Sequence, residues 1–372
     1  MAAGTARKVL LALDGGGMRG AFTLGVLGEL ETLLASTLHQ DQQSRDRFVL
    51  ADWVDYIGGT STGAIIAAGL SLGWKVDRLK QLYRDLGEQV FRPRWFLPSR
   101  AWSKYPDGPL REALEREFGS RTFGDSELRT LLLIVMHDRT TDSPYPLSNN
   151  PAALYNLGDR PTRRNLEQRL SDLLWASTAA PAFFPPAKLT FGDVAHEFVD
   201  GGVTAHNNPS LQLFLAATLP EYRLGWPTGK DDLLLLSIGT GFAPAVLTNL
   251  SRLRRHIIYV ATNTPTGLMF AASNHNDVIC RSLGDVRFGR KIDRELEYLK
   301  RGLPVKMFSY ARYNVRLTKE ELAEYGVSTD PRQLARLDGA EHVNTLIDLG
   351  TAFAKTNLKP EHIEGFLQLR PA

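Results

Sequence analysis

A serine flanked by small residues, Gly59-Thr60-Ser61-Thr62-Gly63, follows one short apolar run and opens another. That is the setting of a nucleophile elbow, a sharp strand-to-helix turn that exposes the serine Oγ and needs small residues around it. The start of the following helix also favours developing negative charge. Asp14-Gly15-Gly16-Gly17 offers unobstructed backbone N–H groups to an anion. Beside an activated serine these would form an oxyanion hole, with Arg19 adding a positive charge or locking the loop. The stretch Gly15 to Gly20 also satisfies G-x-G-x-x-G, the dinucleotide fingerprint. That reading wants an acid about 20 residues further on, at the end of a second strand. The sequence there is Leu34-Ala35-Ser36-Thr37-Leu38-His39-Gln40, so the loop fits an anion nest better than a cofactor loop.

Asp200-Gly201-Gly202 supplies a candidate base. A carboxylate at a strand end beside a cleft is partly desolvated, which raises its pKa towards a useful value. An ordinary aspartate–glycine turn has the same residues, and spacing alone does not separate the two. His206, His256, His275, His342 and His362 follow Asp200, and none sits in a glycine turn.

Bringing such groups together asks for strands that end at one place. Apolar runs at Val9–Leu13, Trp53–Ile57, Phe198–Val199 and Leu233–Ile238 each lead into a glycine-rich turn. Ligands of open α/β sheets bind outside the carboxyl ends of the strands, so such turns on parallel strands gather at one edge. Leu131–Met136 reads as a further strand. Between these runs, Phe22, Val26, Leu27, Leu30 and Leu34 share a helical face, and helical patterns cover 62–72, 76–90, 165–178 and 209–219. The alternation predicts a mostly parallel sheet with helices on its faces. After Gly241 the chain is more polar and mostly helical, with a weak strand at Val305–Tyr310. The expected division is a catalytic unit over 1–245 and a mainly helical extension or cap, a candidate regulatory part, over 246–372.

Composition narrows the class. The chain has 372 residues, 43% hydrophobic and 23% charged, which is ordinary for a globular protein. A single cysteine, Cys280, excludes an internal disulfide framework and a cysteine-rich zinc site. No apolar run approaches the roughly 18 residues of a membrane helix. Val9–Leu13 is too short for a signal-peptide core, so a cytoplasmic protein is expected. A net charge of +3 argues against general nucleic-acid binding. Arg92, Arg94, Arg100 and Lys104 nevertheless interleave with Phe91, Trp95, Phe96, Trp102 and Tyr105. That mixture suits transient, peripheral contact with a membrane surface. The knot of Arg252, Arg254, Arg255 and His256 reads as solvated surface.

The motifs resemble those of the patatin-like phospholipases. Residues 14–20 look like the family's oxyanion block and 59–63 like its nucleophile block. Residues 176–186 are similar to its proline-containing block, 200–202 to its aspartate block, and 238–241 to a further element. The resemblance covers Val9 to Gly241. It implies a three-layer α/β/α fold and a Ser61–Asp200 dyad without histidine. The N–H groups of Gly15, Gly16 and Gly17 would form the oxyanion hole, with Arg19 beside it and Gly59 and Gly63 shaping the elbow. The implied activity is cleavage of acyl esters in a phospholipid or lysophospholipid through an acyl-enzyme, without cofactor or metal. Phe183 and Phe184 would line an acyl groove or pack in the core. Other readings stay open: a ligand-activated effector of the same family, an acyl-carrier transacylase, and a nucleotide-binding module using the 14–20 loop. Replacing Trp95 and Trp102 should weaken sedimentation with liposomes while sparing hydrolysis of a soluble ester. Unchanged sedimentation would sink the membrane-contact idea.

Overall fold

The strand β1 (Lys8–Leu13) is apolar at every position after Lys8, as a strand buried on both faces requires. Its side chains alternate between two cores: Val9, Leu11 and Leu13 enter one cluster, Leu10 and Ala12 the other. The computed structural model describes residues 7–91, 103–157, 165–243 and 257–370. Arg92, Arg94, Trp95, Phe96 and Trp102 therefore lie outside the described residues.

After β1 the chain forms α1 (Gly20–Leu38), α2 (Gln42–Arg47), β2 (Tyr56–Thr60), α3 (Thr62–Ser71), α4 (Val76–Val90) and α5 (Gly108–Phe118). The hairpin β3 (Leu131–Asp138) and β4 (Ser143–Ser148) precedes α6 (Leu170–Thr178) and a second hairpin, β5 (Ala187–Phe191) and β6 (Val194–Asp200). Then come α7 (Ser210–Thr218), β7 (Leu233–Ile238), α8 (Ile257–Leu283), β8 (Asp285–Phe288) and β9 (Ser309–Tyr313). The chain closes with α9 (Lys319–Glu324), α10 (Pro331–Leu334) and α11 (Val343–Asn357).

The strands make one sheet in the order β5-β6-β3-β2-β1-β7-β9-β8, with β4 also paired to β3. The run from β3 to β8 is parallel throughout. Helices α1, α3, α4, α5, α6 and α11 supply the larger core on one face. On the other face, α7 and Cys280 of α8 cover the alternate strand residues. This is the expected three-layer arrangement, with a largely parallel sheet.

Three features depart from the sequence reading. First, β6 runs antiparallel to β3 and meets only its last three residues, Met136 to Asp138. Asp200 reaches the carboxyl edge from beyond it, because the β5–β6 hairpin turns the chain back. Second, position 245 marks a change of composition and no break in space. β8 and β9 extend the same sheet, and Val343, Leu346, Leu349 and Phe353 enter the same core as β1. Third, the helical stretch Gly17–Leu38 is long and apolar enough to cross a membrane by length and composition. Here it lies between the sheet and α11, with Phe22, Val26, Leu30 and Leu34 buried.

α1 and α11 touch backbone to backbone, which depends on two glycines. A Cβ on Gly25 would strike the Ile347 carbonyl, and one on Gly350 would strike that of Phe22. Gly350→Leu should therefore destabilise the whole chain by about 1–3 kcal/mol, read as a lower urea midpoint with an unchanged slope. An unaltered midpoint would mean that α11 is not part of the cooperative core.

Candidate active site

The register of β3 decides which residues meet. Thr60 pairs with Val135 and Asp200 pairs with Met136, so the residue after β2 and the last residue of β6 arrive at adjacent points. Ser61 stands there with φ 54° and ψ −124°, a left-handed conformation that non-glycine residues rarely adopt. The elbow survives because its neighbours leave room. A Cβ on Gly59 would collide with the Gly63 carbonyl, and one on Gly63 with the carbonyls of Leu13 and Asp14. The Ser61 N–H donates to Ser177 Oγ at 2.9 Å, and that hydroxyl donates to the Val135 carbonyl at 2.6 Å. Ser177 thus pins the strained backbone to β3.

Ser61 Oγ donates to Asp200 Oδ2 at 2.6 Å, and Asp200 Oδ1 accepts the Gly202 N–H at 2.7 Å. Both side chains are buried, each residue only 4% exposed. Burial pushes the Asp200 carboxyl up to about 6, against the opposing hydrogen bonds from Ser61 and Gly202. Among the described residues, neither group bonds to a histidine. His206, the first histidine after Asp200, uses its carbonyl to accept from Thr60 Oγ1, and burial lowers the pKa of its imidazole.

The glycine loop is strapped from several sides. The Gly15 N–H donates to the Asn207 carbonyl at 3.0 Å, so it is spent and drops out of the expected oxyanion hole. Met18 N–H donates to the Leu337 carbonyl at 2.8 Å. The N–H groups of Gly16 and Gly17 have no acceptor among the described residues. Arg19 is buried, and its guanidinium donates to the carbonyls of Gly16 and Gly241 at 3.3 and 3.1 Å. It locks the loop; its hydrogen bonds run to the far side of the glycines. A Cβ on Gly16 would strike Thr240, and Gly17 has φ 58° against the Leu337 carbonyl. Neither position therefore has room for a side chain.

Behind the loop, Asp14 holds Arg312 through two hydrogen bonds of 2.7 and 2.5 Å. Although burial opposes it, the Asp14 carboxylate keeps this guanidinium firmly protonated. Arg312 follows Asp14 by 298 residues and carried no sequence signal. Ser177 could have been found, since it lies in the 176–186 block.

An apolar cleft opens over the dyad, lined by Met18, Ile65, Leu86, Val90 and Leu110, with Phe183 and Phe184 on its wall. Phe184 is packed against Phe91, Tyr105 and Trp175, so it both lines the cleft and completes the core. Tyr105 OH donates to Asp338 at 2.8 Å, which ties this wall to the segment that clamps Met18.

A buried serine–carboxylate pair, two N–H groups without an acceptor among the described residues and an apolar cleft thus lie together at the carboxyl edge of the sheet. The patatin-like phospholipase family matches residues 11–214, more than half of the chain, and the chain belongs to that family. It is 32% identical over 242 residues to a cGAMP-activated phospholipase of Escherichia coli (strain TW11681), covering 63% of this chain and 62% of that protein. It is 30% identical over 241 residues to an Escherichia coli cUMP-AMP-activated phospholipase, covering 63% and 65%. Patatin-17 of Solanum cardiophyllum is 29% identical over 250 residues, covering 62% and 60%. The chain thus matches less than two thirds of the length of these curated relatives.

If Asp200 accepts the serine proton, it must be ionised to act. With its pKa raised to about 6, kcat/KM for a soluble ester should be flat above that pH. Below it, the value should fall about tenfold per unit as the carboxyl protonates. A profile that stays flat down to about pH 4.5 would remove Asp200 as the base.

Proposed function

We propose that the chain is a lipid acyl hydrolase that cleaves fatty acyl esters of glycerophospholipids, phospholipase A or lysophospholipase in type. The observation that carries this reading is the 2.6 Å hydrogen bond from Ser61 Oγ to Asp200 Oδ2 at the floor of an apolar cleft. Asp200 takes the Ser61 proton as Oγ attacks the ester carbonyl carbon. The resulting oxyanion is held by the N–H groups of Gly16 and Gly17, one such donor being worth about 2.7–4 kcal/mol. Collapse breaks the bond to the lysolipid oxygen, which leaves with the proton from Asp200. Water then gives a proton to Asp200 and attacks the acyl-serine, releasing fatty acid and restoring Ser61. The acyl chain lies along Phe183, Phe184, Val90 and Leu110. The enzyme works peripherally at a membrane surface, on the cytoplasmic side.

A second reading, activity switched on by a ligand, is favoured by relatives that are cGAMP- and cUMP-AMP-activated phospholipases. The near-complete burial of Ser61 and Asp200 is consistent with a resting state that admits substrate poorly.

The test is fatty acid release from mixed phospholipid liposomes, followed by mass spectrometry, with and without cyclic dinucleotide. Wild type should release fatty acid and leave lysolipid. Ser61→Ala and Asp200→Asn should each lose at least about 10³ of the rate, the scale set by other nucleophile and base deletions. Full activity in Ser61→Ala would overturn the proposed chemistry.

A further inference from the structure

A second crevice lies outside the carboxyl ends of β7 and β9. Arg312, Asn314, Phe242, Phe270, Arg290 and Arg316 line it. The rings of Phe242 and Phe270 are stacked at 5.1 Å, and the Arg316 guanidinium lies 5.9 Å from the Phe242 ring. Aromatic faces of this kind accept a flat heterocycle, and a guanidinium beside them accepts a phosphate oxygen.

The cations there have donors to spare. Arg312 is committed to Asp14, and Arg281 to Asp277. Arg290 pairs with Glu321 but keeps a buried Nε that has no acceptor. The Arg316 backbone N–H donates to Glu321 at 3.0 Å, while its guanidinium has no carboxylate partner among the described residues and donates through one nitrogen to the Lys291 carbonyl. Burial, with repulsion from Arg316 behind it, lowers the pKa of Arg290, and an anion seated between the two would relieve both. Glu320 and Glu324 on the rim can accept from ribose hydroxyls or base amino groups.

The crevice is wired to the oxyanion loop twice. Arg312 in its lining holds Asp14, the residue that begins the glycine loop. Asn314 Oδ1 accepts the Gly241 N–H at 2.9 Å, the Gly241 carbonyl accepts from Arg19, and Arg19 also donates to the Gly16 carbonyl. A ligand that shifts Arg312 or Asn314 therefore shifts the backbone that would hold the oxyanion.

We propose that this crevice binds a nucleotide through its phosphate and its base, and that occupancy sets the geometry of the glycine loop. The regulatory half rests on the ligand-activated reading above; the binding half does not. Isothermal titration of the full chain with cGAMP, cUMP-AMP, AMP and inorganic phosphate tests it. At least one nucleotide should bind, and Arg316→Glu should weaken it by about tenfold or more, the loss of a charge-assisted contact. Lys300→Glu, an exposed cation outside the crevice, should leave affinity within about twofold, as for a remote surface charge. The same nucleotide should raise fatty acid release by wild type. No binding to any nucleotide, equal weakening by both variants, or phosphate binding as tightly as nucleotides would each overturn the proposal. Arg316-dependent binding without any lipid cleavage would leave the site standing and remove the hydrolase reading. Lipid cleavage indifferent to a bound nucleotide would remove the regulatory half.

Discussion

The pairing of β3 with two strands at once fixes where Ser61 and Asp200 meet. β2 approaches it in parallel with Thr60 opposite Val135, and β6 descends antiparallel with Asp200 opposite Met136. A slip of one residue in either register would displace one partner by about 3.3 Å. The 2.6 Å contact could not survive that. The crossing is sealed locally: Ser177 bridges the Val135 carbonyl and the Ser61 N–H, and Gly201 packs directly on that carbonyl. Backbone geometry, more than any side-chain pair, therefore holds the site.

The glycine loop depends on a different principle. Its three glycines have no side chains, so it is fixed by Asp14 and Arg19 at its ends and by groups drawn from late in the chain. Thr240, Leu337 and Arg312 all press on it or on Asp14. Removing one partner of a buried ion pair such as Asp14–Arg312 costs about 3–5 kcal/mol, because the other charge is left uncompensated. Residues after 245 are thus structural parts of the site.

Local constraints were legible in the sequence and distant ones were not. The elbow at Ser61 and the glycine loop could be read because their backbones need small residues at fixed spacing. The buried strands β1 and β7 could be read because both faces are apolar. β2 was placed early, since Trp53 looks strand-like but lies in a turn, its indole donating to the Phe366 carbonyl at 2.7 Å. β4, with prolines at 144 and 146, offered little strand signal. The direction of β6 was hidden as well, because a hairpin two strands long reads the same whichever way it docks. The Gly15 N–H could not be discounted without knowing that the Asn207 carbonyl accepts it, 192 residues further along the chain.

One oxygen of Asp200 is already spoken for. Its Oδ1 is held by Gly202 N–H, and only Oδ2 faces Ser61. In the proposed reaction the same atom must serve both half-reactions, first for the serine and then for the incoming nucleophile. The departing alcohol and the water therefore compete for one seat, and the first product has to vacate before deacylation begins. Whatever hydroxyl compound takes that seat next receives the acyl group, so the balance between hydrolysis and acyl transfer is set by how well the cleft admits water over a second alcohol.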